Sequence, residues 1–105
     1  MNTQFKKGVI DLCVLALVKQ NYQTTYQITK ALKDSLGVNE NTIYPMLRRL
    51  TDKSYLEYSK VAGEAGAPTK IYTLTANGQR FLNEEINQWM HFTHQVQSIL
   101  GDTDE

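Results

Sequence analysis

Positions 9–18 read Val-Ile-Asp-Leu-Cys-Val-Leu-Ala-Leu-Val, an apolar run broken only by Asp11. A helix carrying this run is apolar on nearly every face and must be covered from more than one side, which predicts a central first helix over residues 3–20. The polar stretch 21–25 reads as a turn, and the hydroxyl of Thr24 or Thr25 can cap a second helix over residues 26–36. There Ile28, Leu32 and Leu36 recur every four residues as a buried stripe, with Lys30, Lys33 and Asp34 facing outward. Gly37 follows, at the position where a helix stops with a left-handed residue. In the next segment Asn39 is a fitting N-cap and Glu40 suits the positive first turn. Ile43, Met46, Leu47 and Leu50 make the inward face. Asn41, Pro45, Arg48 and Asp52 point the other way, with Tyr44 and Arg49 on the shoulders. Two helices joined by Gly37-Val38 form a helix-turn-helix, with residues 39–53 as its second helix. Pro45 removes one hydrogen bond and crowds the carbonyl of Asn41, but the apolar pattern spans it, so a bent helix is expected rather than a broken one.

After residue 53 the period shifts from 3.6 to alternation. Leu56, Tyr58 and Lys60 share one side of a strand, residues 63–68 are a turn by composition, and residues 69–74 are a second β-rich run. A hairpin after a helix-turn-helix is a wing. Thr75 caps a last helix carried from Ala76 to about Leu100, ~25 residues and roughly 37 Å long. Along it Leu82, Ile86, Trp89, Thr93, Val96 and Leu100 alternate spacings of four and three, a coiled-coil-like seam. Such a helix is longer than the small domain it leaves, so the seam calls for a second chain; a helix folded back on its own domain is the alternative. The expected fold is mainly α with a small β-hairpin: a winged helix-turn-helix over 1–75, a dimerisation helix over 76–100 and a frayed tail over 101–105. The expected homodimer interface comprises Val9, Leu12, Leu82, Ile86, Trp89, Val96 and Leu100.

Composition narrows the function. The 105 residues suffice for one domain, and 41% hydrophobic content belongs to a folded chain rather than a disordered one. No run approaches the ~20 apolar residues of a membrane span. No small-residue cleavage site follows the first apolar run, so a cytoplasmic protein is the simplest expectation. A single cysteine, Cys13, excludes an internal disulfide and a Cys-rich metal site, and reads as a small buried hydrophobe. His91 and His94 lie three apart on the last helix with no further ligand evident, so neither metal nor cofactor is expected. No Ser/His/Asp or Cys/His constellation and no Gly-rich phosphate loop is present, and the adjacent Glu84 and Glu85 diverge on a helix. An enzyme is therefore not expected. The net charge of zero hides an asymmetry: residues 1–60 carry nine bases against five acids, and residues 61–105 two bases against six acids. A basic first half fits a surface that meets phosphates.

The segment Glu40-Asn41-Thr42-Ile43-Tyr44-Pro45-Met46-Leu47-Arg48-Arg49-Leu50 resembles the recognition helix of the PadR family of bacterial transcriptional regulators, which typically reads Glu-x-Thr-Leu-Tyr-Pro-x-Leu-x-Arg-Leu. Residues 66–78 are similar to that family's wing and to the Leu-Thr-x-x-Gly with which its final helix begins, and Tyr26-Gln27-Ile28 to the start of its second helix. The length is that of the short subgroup, with one C-terminal helix. The resemblance implies a dimer that binds inverted-repeat operators, usually as a repressor released by a small molecule or stress signal. It also implies that Trp89, with Ile86, Met90, Thr93, Phe5, Gly8, Asp11 and Leu12, surrounds a pocket between subunits for a small aromatic effector; plain packing of the indole on the seam is the alternative, and Asp11 either favours a cationic effector or faces solvent. The chain departs from the family pattern where Ala67 and Thr69 replace two wing arginines, Ser54 replaces a glycine after the recognition helix, and Thr25 replaces the glycine before Tyr26.

For double-stranded DNA, Arg48 and Arg49 are the best-placed cations, since arginine pairs bidentately with guanine. Asn41 and Thr42 can donate to phosphate or bases, and Tyr44 can touch phosphate or pack between helix and wing. Lys60 and Lys70 are expected phosphate contacts from the hairpin; Thr24, Thr25 and Tyr26 present amides at the start of the second helix. The neutral net charge and a wing without arginine keep a second reading open, a winged-helix protein-interaction or dimerisation module without specific DNA binding.

Overall fold

The computed structural model describes residues 3–63 and 66–101, with side chains from residue 8 onward. Its elements run α1 (Thr3–Lys19), α2 (Thr25–Leu36), α3 (Glu40–Asp52), β1 (Leu56–Ala62), β2 (Pro68–Leu74) and α4 (Ala76–Leu100). The mainly helical fold with one antiparallel hairpin is the one expected. The proposed frayed tail beyond residue 101, and the side chain of Phe5, lie outside the described residues.

The apolar run of α1 is buried as its composition demands. Ile10, Val14, Leu15 and Val18 are at most 6% exposed, and Leu12, Cys13, Ala16 and Leu17 pack against the same core partly buried. Thr24 is the cap of α2: its hydroxyl accepts from the Gln27 amide while the Gln27 side chain reaches back to the Thr24 amide, a reciprocal capping box. Gly37 closes α2 at φ +66°, its amide donating to the Leu32 and Lys33 carbonyls. The expected stripe of α2 needs one correction. Ile28 and Leu32 are buried, but Leu36 is 48% exposed, because the chain turns away at Gly37 before the last turn can reach the core.

Helix α3 runs unbroken through Pro45, its Asn39 cap accepting from the Asn41 amide. Ile43, Met46, Leu47 and Leu50 are each no more than 2% exposed. At about 1.5–3 kcal/mol per buried side chain, that face alone holds α3 on the domain. Strands β1 and β2 pair from Leu56↔Leu74 to Ala62↔Pro68, and the turn is closed by the Gly63 amide donating to the Ala67 carbonyl. Only Leu56 of β1 and Tyr72 of β2 are buried, so the hairpin touches the core at its base and projects beyond it.

Thr75 caps α4 through a bond from the Gly78 amide. The first turns of α4 pack on α1 and β2. This corrects the expected seam: Leu82 is fully buried in its own chain's core and is not available to a second copy. Beyond it the helix leaves the domain, with Ile86, Met90, Phe92, Ile99 and Leu100 between 38% and 84% exposed. The Cα radius of gyration, 15.7 Å, exceeds the ~13 Å of a compact chain of this size, and the long axis reaches 55 Å.

Candidate nucleic-acid interface

The start of α2, the outward face of α3 and the hairpin meet around one cleft of about 720 Å³. Thr24, Thr25 and Tyr26 form one wall, Tyr44, Leu47, Arg48, Thr51 and Asp52 the floor, and Tyr58 with Pro68, Thr69, Lys70 and Tyr72 the other wall. Of the residues singled out for DNA from the sequence, Thr24, Thr25, Tyr26, Tyr44, Arg48 and Lys70 thus share one concave surface. Lys60 is exposed and pairs across the hairpin with Lys70. Asn41 and Thr42 are exposed at the start of α3, outside the cleft.

Arg49 goes elsewhere. Its Nη2 lies 2.6 Å from Oδ1 of Asp11 in α1, in a half-buried ion pair. It edges a shallower hollow with Tyr44, Pro45, Arg48 and Asp52 but does not line the main cleft.

The wing is fixed to the helices by contacts that its own sequence pattern does not announce. The Tyr72 amide donates to the Gln23 carbonyl at 2.8 Å, and Gln23 Nε2 donates to the Tyr72 carbonyl at 3.1 Å. Burial pushes the Tyr72 phenol up, the neighbouring Tyr58 adds to this, and a hydrogen bond with Thr25 opposes it. The Tyr58 ring lies 5.7 Å from that of Tyr72, and the Lys70 ammonium sits 4.4 Å from the Tyr58 centroid. Lys70 is therefore held over an aromatic face, and it and Tyr58 both line the cleft. Thr51, Tyr58 and Thr69 were missed in the sequence reading. Thr51 had a signal, since it continues the Tyr44–Arg48 line at helical spacing; Gln23 had none, because its partner is 49 residues away.

The chemistry of the cleft is hydroxyl-rich and modestly cationic. Threonine and tyrosine hydroxyls outnumber its two cations, Arg48 and Lys70, and Asp52 contributes one acid. Such a surface can donate hydrogen bonds to phosphate oxygens from several sides and present one arginine to base edges.

A second, open groove of about 370 Å³ lies between α1 and α4, lined by Gly8, Val9, Leu12, Glu85, Gln88, Trp89 and Phe92. It joins three of the residues expected around an effector, Gly8, Leu12 and Trp89. Ile86, Met90 and Thr93 do not line it, and Asp11 is turned to Arg49 instead; the carboxylate in this groove belongs to Glu85. Among the described residues there is no group of three or more His, Cys, Asp or Glu that could hold a metal ion. Burial pushes the Cys13 thiol up, away from the thiolate. No helix among the described residues is long and apolar enough to cross a membrane.

Comparison with known proteins follows the same lines. The family model described as the Transcriptional regulator PadR-like family matches residues 14–84. The negative transcriptional regulator PadR of Bacillus subtilis (strain 168) is 28% identical over an 86-residue alignment that covers 78% of this chain and 45% of that protein. The chain thus spans about half the length of this relative. An X-ray structure of a PadR-like transcription factor from Bacteroides fragilis matches at a TM-score of 0.79 and 34% identity, covering 92% of this chain and 95% of that one. The crystal structure of Bacillus subtilis PadR in complex with operator DNA matches at a TM-score of 0.68 and 28% identity, over 74% of this chain and 46% of that one.

Proposed function

The chain belongs to the PadR-like family of transcriptional regulators, and from that premise we propose that it is a homodimeric repressor that binds an inverted-repeat DNA operator through the cleft between α2, α3 and the wing. The family is one of transcriptional regulators, not of enzymes. The observation that carries the proposal is the convergence of Thr24, Thr25, Tyr26, Tyr44, Arg48 and Lys70 on one concave surface from three separate elements. Arg48 reads base edges from α3, while the hydroxyls of α2 and the lysines of the wing hold phosphates. Asn41 extends the Arg48 face toward the start of α3, and Thr42 stands on the adjoining shoulder with Arg49. The operator-bound relative from Bacillus subtilis supports the binding of DNA.

In this reading residues 1–75 are the DNA-binding unit and 76–100 the dimerisation helix. The exposed apolar side chains of α4 from Ile86 onward support pairing with a second copy, which gives the two-fold symmetry an inverted repeat mirrors. A small aromatic molecule seated on Trp89 in the α1–α4 groove would release the DNA. Glu85 in that groove supports a cationic one.

A second reading, an interaction module that does not bind DNA specifically, draws on the net charge of zero and on Asp52 within the cleft. Fluorescence anisotropy separates the two. A duplex from upstream of the protein's own gene is titrated beside a scrambled duplex at two salt concentrations, with Arg48→Ala in parallel. The DNA-binding reading requires preference for the native duplex, weakened by salt and lost in the variant. No binding to either duplex by a folded dimer would favour the interaction module. Quenching of Trp89, the single tryptophan, by cationic aromatic dyes tests the effector groove separately.

A further inference from the structure

Arg48 and Arg49 are neighbours in sequence, yet the fold gives them different surroundings. Arg48 is exposed on the floor of the cleft. Arg49 is engaged at 2.6 Å with a residue 38 positions away in α1, and the two side chains are 28% and 19% exposed. The Lys30–Asp34 pair of α2 is a useful contrast, being a local i,i+4 contact with both side chains 60% exposed and strongly screened by solvent. The pair between α1 and α3 links two elements, is shorter and is less screened.

We propose that Arg49 is a positioning residue for DNA recognition, which through Asp11 fixes the rotation of α3 on α1 and so aims Arg48 and Tyr44, without touching DNA itself. The inference rests on the DNA-binding reading above. The physical reason lies in directionality. Ile43, Met46, Leu47 and Leu50 hold α3 to the core by apolar burial, which is strong but non-directional. A guanidinium hydrogen-bonded to a carboxylate fixes both distance and angle, and arginine's planar fork loses little freedom in doing so. Placed on the shoulder of α3 next to Arg48, the bond sets which way the outward face points. The same bond takes up Nη2, one of the two terminal nitrogens that a bidentate contact to phosphate or guanine would use.

The test uses the full-length protein and the duplex it enriches from a randomised pool, beside a scrambled duplex of equal length, titrated over a series of salt concentrations. Arg49→Ala and Asp11→Asn should each weaken binding to the enriched duplex by about tenfold. The double variant should be no weaker than either single one, as for residues acting as a unit. Scrambled-duplex affinity and salt slope should stay at the wild-type values, because no phosphate contact is lost. Exchanging the charges, Asp11→Arg with Arg49→Asp, should recover preference for the enriched duplex. Binding is measured below the melting temperature of each variant, so that loss of fold does not enter.

The proposal is overturned if Asp11→Asn binds like the wild type while Arg49→Ala loses affinity with a shallower salt slope, since Arg49 would then be a phosphate contact. Equal weakening on both duplexes, with no recovery on charge exchange, overturns it as well. If the unaltered protein enriches no duplex at all, the DNA-binding reading falls and takes this inference with it.

Discussion

Gly78, in the first turn of α4, lies directly beneath the carbonyl of Tyr55: a Cβ at Gly78 would sit 2.1 Å from the Tyr55 oxygen and 2.9 Å from Leu74 Cδ1. The close approach lets the Thr75 amide reach the same carbonyl at 3.1 Å and brings the Tyr55 ring onto Phe81, 4.3 Å between centroids. It is the hinge at which the hairpin is bolted to α4. Gly78→Ala forces a backbone atom to move, and we expect a loss of about 2–3 kcal/mol, read as a fall in melting temperature of roughly 10 °C or more. A variant that melts within a degree or two of the wild type would show that the hairpin and α4 separate easily.

Ser54 offers the opposite test. It follows α3 at φ +64°, a left-handed conformation that costs an L-residue about 1 kcal/mol or more and costs glycine little. Relief of that strain outweighs the extra chain entropy of glycine only narrowly. Ser54→Gly should therefore raise stability by up to about 1 kcal/mol in chemical denaturation, at an unchanged denaturant slope. A clear destabilisation would mean that the serine side chain contributes something its geometry does not reveal.

These two positions mark what was legible in the sequence. Helix and strand boundaries fell within a residue or two of expectation, because capping residues, Gly37 and the apolar periods are local signals. Six of the ten residues singled out for DNA share the cleft because helical spacing and the hairpin turn confine them to neighbouring surfaces. What escaped was non-local. Periodicity placed Arg49 on a shoulder of α3 but could not pair it with Asp11. Leu82 fits a seam as well as it fits a core, and only the packing of α4 on α1 and β2 distinguishes the two. The link from Gln23 to Tyr72 is carried largely by backbone atoms, which leave no mark on residue type.

Thr29 is buried in α2, and its hydroxyl oxygen has no hydrogen-bond partner among the described residues. A buried hydroxyl that makes no bond has lost its hydration without compensation. Thr29→Val keeps the branched shape and removes the polar atom, and should stabilise the protein by about 1 kcal/mol in the same denaturation assay. Thr29→Ser, which keeps the hydroxyl and removes the methyl, should destabilise it. If valine instead destabilises, the hydroxyl has a partner in solution.

The cleft also sets how steeply DNA affinity depends on salt. Each phosphate neutralised by a cation contributes about 0.9 to the slope of log affinity against log salt, whereas hydroxyl contacts contribute almost nothing. Lys70→Ala should shallow the slope by about 2 per dimer, one cation lost from each half-site, and weaken enriched and scrambled duplexes alike. Arg48→Ala should instead reduce discrimination, by about 1–3 kcal/mol per half-site if the arginine pairs with guanine. Identical effects of the two variants would contradict the division of labour between wing and α3.

The exposed face of α4 should decide whether the chain pairs. Ile86 is 38% exposed and Leu100 71% exposed in a single chain, and, spaced by two heptads, they share one face of α4 with the half-buried Trp89 and Val96. Neither Ile86 nor Leu100 belongs to the core cluster, so replacing them removes little that holds the domain itself together. Introducing Ile86→Glu and Leu100→Glu together places charge where a second copy would bury it, at a cost of several kcal/mol at the interface and almost none in an isolated chain. Analytical ultracentrifugation should show the wild type as a dimer and the double variant as a folded monomer with the wild-type helical circular dichroism. DNA binding should then weaken far more than either half-site contact alone explains, because two linked half-sites reinforce each other through effective concentration. A double variant that stays dimeric would move the interface off this face of α4, and the two-fold operator with it.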